Sequence, residues 1–104
     1  MDEEKKQILI QELKNKLRIT WENDRTNAEL MQNINDAESY MNHLLGAELD
    51  YTAPGISHIL FINYCMYIWN GCEHEFEEAY LKDINRARAM YEVMANEEKN
   101  AGAE

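Results

Sequence analysis

Residues 54–71 read PGISHILFINYCMYIWNG. Pro54 suits the first turn of a helix, where its missing N–H costs nothing, with Thr52 or Ala53 as the expected cap. Asn70-Gly71 is a stop signal. Between them Ile56, Ile59, Leu60, Phe61, Ile62, Tyr64, Cys65, Tyr67, Ile68 and Trp69 cover nearly the whole circumference of one helix. A helix apolar on all sides packs on several neighbours, so this segment is expected at the centre of a helical bundle.

The flanking sequence supplies the neighbours. A first helix is expected over Glu3 to Leu17, with Leu9, Leu13 and Leu17 at i+4 spacing, Ile10 beside them, and Glu12 and Lys16 in the favourable i, i+4 order. After a loop at 18–25, Thr26 and Glu29 form the S/T-x-x-E pattern of a capping box. Leu30, Ile34, Ala37, Met41 and Leu44 then keep helical spacing to a glycine stop at Gly46. A fourth helix is expected from about His74, with Phe76, Tyr80, Ile84, Ala87, Tyr91 and Met94 on its inner face. Its first turn carries Glu75, Glu77 and Glu78, and Arg86 and Arg88 come later, the order the helix dipole prefers. The expectation is an all-α fold: a small bundle of about four helices with a central apolar third helix. Residues 1–96 make the helical domain and 97–104 a mobile acidic tail.

The 104 residues make one domain. Twenty Asp and Glu against ten Lys and Arg leave a net charge of −10. Such a chain repels phosphate backbones, which argues against sequence-specific nucleic-acid binding and against a basic membrane-surface helix. The apolar run at 59–69 is too short to cross a bilayer, and the first six residues lack the apolar core of a signal peptide, so synthesis in the cytosol is expected. Cys65 and Cys72 lie about two helical turns apart, too far for a disulfide.

Reaction chemistry is hard to place. A di-iron bundle needs Glu-x-x-His, but Tyr40, Gly55 and Gly71 stand three residues before His43, His58 and His74. Cys72, His74 and Glu78 make at best a poor metal cluster beside a helix start. Cys65, inside the apolar helix, reads as a small buried hydrophobe rather than a nucleophile. No glycine-rich loop cradles a phosphate. These residues point to no enzyme, no cofactor and no metal, and to work done through contacts. Trp21, in a polar loop, either plugs one end of the bundle or anchors a partner.

Several short motifs occur in order. They are Leu17-Arg18-Ile19-Thr20-Trp21-Glu22; Asp36-Ala37-Glu38-Ser39-Tyr40-Met41-Asn42 with Leu45-Gly46; Glu48-Leu49-Asp50-Tyr51 leading to Pro54-Gly55; and Tyr64-Cys65-x-Tyr67-x-Trp69-Asn70-Gly71 followed by Glu75-Phe76-Glu77 and Tyr80-Leu81. In order and spacing, over about Leu9 to Arg88, the series resembles the small head–tail connector proteins of tailed bacteriophages and prophages, also called portal adaptor or DNA-packaging proteins. The resemblance implies a helical subunit without enzyme activity or cofactor. It implies a ring homo-oligomer, twelve-fold by family resemblance, that docks on the portal protein and extends the DNA channel. The ring then receives a stopper or tail-completion protein. It places the protein in the virion at the head–tail interface, after synthesis in the bacterial cytoplasm. The candidate subunit or partner interface is Trp21, Glu75, Glu77, Glu78, Arg86 and Arg88. Equally, those charges simply solvate a helix. The competing reading is a small acidic interaction or regulatory module that binds a single partner.

Overall fold

The computed structural model describes the backbone of residues 1–102 and the side chains of residues 1–94. It is all-α: α1 (Glu3–Leu17), α2 (Asp24–Leu45), α3 (Ile56–Trp69), a 3-10 turn at Glu73–Glu75, a short α4 (Phe76–Ala79) and α5 (Leu81–Gly102). No strand occurs among the described residues.

α1 starts where Asp2 accepts a hydrogen bond from the Lys5 amide at 2.9 Å. It ends at Arg18, whose left-handed φ of 59° is the one positive φ at a non-glycine residue among the described residues. The Ile19 amide closes back on the Lys14 carbonyl at 2.8 Å, which drives Ile19 inward to burial. α2 begins two residues before the expected capping box. Asn23 is its N-cap, and its Oδ1 accepts from the Arg25 and Thr26 amides at 2.8 and 3.2 Å. Asn23 offers its oxygen first along the chain, so Thr26 is already helical and its hydroxyl is free for another partner.

Before α3 the cap expectation also changes. Gly55 is the N-cap, at φ 140°, and no side chain caps the helix. Thr52 is turned away because its amide and hydroxyl both donate to the Asp50 carboxylate. Pro54 lies ahead of the helix rather than in its first turn. The other end matches the reading: Gly71 takes φ 73°, and the Cys72 amide returns to the Tyr67 carbonyl at 2.9 Å.

α3 packs on α1, α2, α5 and the 3-10 turn. Leu9 and Leu13 of α1, Leu30, Ile34, Ala37 and Met41 of α2, Leu60 and Phe61 of α3, and Ala87 of α5 are fully buried around it. Each large aliphatic or Phe side chain buried there contributes about 1.5–3 kcal/mol relative to an exposed one. The cover of α3 is incomplete: Ile59 is 56% exposed, and Tyr67, Ile68 and Trp69 are half-buried.

The expected single fourth helix is divided. The 3-10 turn and α4 meet α5 at Tyr80, whose φ −116° and ψ 21° leave the helical region. Phe76 and Tyr80 both turn their rings inward at this joint, stacked with centroids 4.9 Å apart. Phe76, Ile84 and Ala87 face the core as expected, but Met94 is 49% exposed, because α5 has outrun the bundle. The α5 backbone continues past Asn96 to Gly102. The tail expected at 97–104 lies outside the residues whose side chains are described.

Candidate interaction surface

Trp21 is held by the turn between α1 and α2. Its indole Nε1–H donates to Thr26 Oγ1 at 3.3 Å, yet the side chain stays 51% exposed. The turn beneath it is a charged frame. The Lys14 ammonium, on a side chain that is mostly buried, donates to Glu22 Oε1 at 3.1 Å, and Asn27 Nδ2 donates to the other Glu22 oxygen at 3.3 Å. Those bonds, the one from Lys14 above all, hold the Glu22 carboxyl below its usual range. The indole is therefore oriented by its own loop while much of its ring faces solvent.

Glu75, Glu77 and Glu78 are exposed, as are Arg86 and Arg88. Glu77 has a partner in its own chain: the Tyr40 hydroxyl donates to Glu77 Oε1 at 2.6 Å. Burial, and then that bond, push the Tyr40 phenol upward, so it stays protonated and keeps donating. Tyr40 stacks on Tyr64 at 4.3 Å, and with Glu73, His74 and Glu77 the two rings line an open hollow of about 240 Å³. Glu77 and Arg88 also border one small hollow together with Leu81 and Ile84. Glu77 thus lies beside Arg88 rather than on an opposite face of the subunit. Among the described residues neither Arg86 nor Arg88 forms an ion pair.

Sequence reasoning placed Met94 on the inner face of α5 and missed Met90 and Val93 beside it. Met90, Val93 and Met94 stand at i, i+3 and i+4, and are 42%, 55% and 49% exposed. At about 100° per residue Met94 stands two turns beyond Ala87 on the line of the inner face, Met90 lies about 60° to the side of Ala87 and Val93 points away from Ile84, with Arg86 one turn before Met90. The signal for Met90 and Val93 was two apolar residues on a helix whose inner face was already complete without them.

Possible reaction centres are poor. Cys65 is buried, and burial pushes its thiol far up, which opposes formation of a thiolate. Cys72 is also free and is half-exposed. Among the described residues no three His, Cys, Asp or Glu side chains are grouped to hold a metal ion. No described helix is long and apolar enough to cross a membrane.

No protein-family model, curated protein or solved structure matches this chain.

Proposed function

We propose that the chain is a structural adaptor of the head–tail connector of a tailed bacteriophage or prophage. In this reading it forms a ring that docks on the portal, extends the DNA channel and receives the next connector or stopper protein. The observation that carries the reading is the exposed apolar group Met90, Val93 and Met94 on α5, beside Arg86, which forms no ion pair among the described residues. A subunit that works alone gains nothing from such a group, whereas a subunit that works by contacts can bury it. The order of the short motifs from Leu17 to Leu81 supports the family, and the net charge of −10 suits a channel through which DNA slides without sticking.

Neighbours in a closed ring meet head to tail, so two different faces must match. Arg86 and Arg88 on one subunit and Glu75 and Glu78 on the next provide opposite charges that set orientation more than affinity. Portal docking then favours the ring by multivalency. The test is electron microscopy and pull-down of the chain with the portal protein encoded beside it. Rings on the portal vertex are expected, and the double reversal Arg86→Glu, Arg88→Glu should impair them while leaving the helical signal of the subunit intact. Absence of portal binding under assembly conditions would end the adaptor reading. Stoichiometric binding of one other partner without rings would favour the single-partner module instead.

A further inference from the structure

His58 lies in the first turn of α3, where three parts of the chain meet. Its Nδ1 is 2.6 Å from the backbone carbonyl oxygen of Tyr51, in the connector between α2 and α3. Its Nε2 is 2.8 Å from Glu12 Oε2, on α1. A carbonyl oxygen only accepts, and so does a carboxylate. A neutral imidazole owns one N–H, so it can satisfy one of these oxygens while its other nitrogen turns a lone pair on the second. An imidazolium owns two and satisfies both. We propose that His58 is a proton-operated clasp that, as imidazolium, ties α1, the connector and α3 together, and that lets go of the Tyr51 carbonyl when the ring gives up its proton.

The direction of release follows from bond strength. The bond to Glu12 is charge-assisted on the acceptor side and outlasts the bond to a neutral carbonyl. The remaining proton therefore sits on Nε2, and the bare Nδ1 faces the carbonyl at a distance suited only to a hydrogen bond. The Tyr51 side chain stays where it is. It is fully buried, its ring stacks on Phe61 at 4.5 Å, and its hydroxyl donates to Asn42 Oδ1 at 2.7 Å. What is freed is the backbone between Tyr51 and α3, which ends in the uncapped, positive-φ Gly55.

The charged surroundings are simple. Among the described residues Glu12 is the one carboxylate within 4.0 Å of the ring, and the pair is only part-exposed, at 21% and 29% of their side chains. α3 itself carries no Asp, Glu, Lys or Arg. From the connector, Asp50 is engaged with Lys5 of α1 at 3.0 Å, and Glu48 is exposed. Lys16 stands one turn beyond Glu12 on α1 and is exposed. α2 contributes Glu38 and His43, and α5 Asp83, Arg88 and Glu92; none of the carboxylates among these pairs with the ring. The N-terminal end of α3 adds its own partial positive charge.

The clasp is independent of the adaptor reading and is tested on the isolated chain. Histidine protonation changes between about pH 5 and 8, so the measurement spans that window. Nitrogen NMR of His58 should show both ring nitrogens protonated at the acid end and one at the alkaline end. The Tyr51 carbonyl carbon shift should move with the same midpoint. His58→Gln, which retains the exposed His43 and His74, should leave the Tyr51 carbonyl shift flat across the same window. Glu12→Gln gives a second control. Its amide N–H can donate to Nε2 of a neutral ring, which keeps Nδ1–H on the Tyr51 carbonyl, so the carbonyl shift should stay fixed at every pH. If His58→Gln fails to fold, the wild-type carbonyl shift alone decides. A Tyr51 carbonyl shift that ignores His58 titration, or a His58 that does not titrate in the window, would overturn the clasp.

Discussion

Replacing Phe76 by Ala should cost the fold about 4–5 kcal/mol. Phe76 is fully buried, and it is the one buried residue between Gly71 and Tyr80. The 3-10 turn and α4 are therefore attached to the bundle chiefly through this ring, with the Tyr40–Glu77 hydrogen bond as a second, polar tie. It meets Tyr64 edge-on at 5.0 Å and Tyr67 edge-on at 5.7 Å, and it stacks on Tyr80 at 4.9 Å. Truncating a buried Phe to Ala costs about 3–5 kcal/mol through lost transfer energy and the cavity left behind. Each aromatic pair adds about 0.5–1.5 kcal/mol beyond area alone, which moves the expectation to the upper end of that range. Domains are stable by only about 5–15 kcal/mol, so the variant should remain measurable but close to the limit. Phe76→Leu keeps most of the volume and loses the ring pairs, so it should lie near 1–2 kcal/mol. Urea unfolding followed by circular dichroism and by tryptophan fluorescence gives both values by linear extrapolation. A loss under about 1.5 kcal/mol for Phe76→Ala would show that segment 71–80 is held by something else.

Four further outcomes are expected. Leu60→Ala should cost about 2–5 kcal/mol because Leu60 is fully buried, whereas Ile68→Ala should cost clearly less because Ile68 is half-buried; equal losses in urea unfolding would contradict the packing of α3. Arg18→Gly should stabilise the protein by about 1 kcal/mol, since Arg18 holds a left-handed φ of 59° that glycine adopts without a Cβ penalty; a lower melting temperature would count against it. A thiol reagent should label Cys72 in the native protein and Cys65 only at the rate of unfolding, and fast double labelling would refute the burial of Cys65. Hydrogen bonds from Thr52 and then Lys5 lower the Asp50 carboxyl to about 2, so its contribution is present above the ordinary carboxyl range and lost as pH falls towards 2; Asp50→Asn should flatten that part of an acid titration of stability.

How far the sequence was legible depends on the range of the interaction. The extent of α1, the glycine stops at Gly46 and Gly71, and the inner stripes of α2 and α5 rest on local spacing, and local spacing can be read directly. The cap of α2 was misplaced because two polar residues close in sequence compete for the same amides, and the winner is set by the path of the preceding turn. The joint at Tyr80 was invisible for a different reason. Phe76, Tyr80 and Ile84 have unbroken helical spacing, and only the meeting of two rings with Tyr67 of α3 bends the chain there. Of the candidate surface, the exposure of Trp21, the three glutamates and the two arginines followed from polarity. The engagement of Glu77 by Tyr40 did not, because its partner is 37 residues away.

The same contrast runs along α5. Near its start Ile84 and Ala87 are covered by α2 and α3, and further along Met90, Val93 and Met94 are exposed. Helix formation itself asks for only one apolar face, since packing of that face provides most of the stability of a helix in a protein. Burying Met90, Val93 and Met94 against a second surface would gain free energy by the same hydrophobic term that holds Ile84 and Ala87. Charge then favours an acidic surface. Arg86 borders these residues, while the molecule as a whole is strongly acidic, so a like subunit has carboxylates to present to Arg86. Head-to-tail contact through two different faces closes into a ring when the rotation permits, and that is the contact the adaptor reading proposes for Arg86 and Arg88.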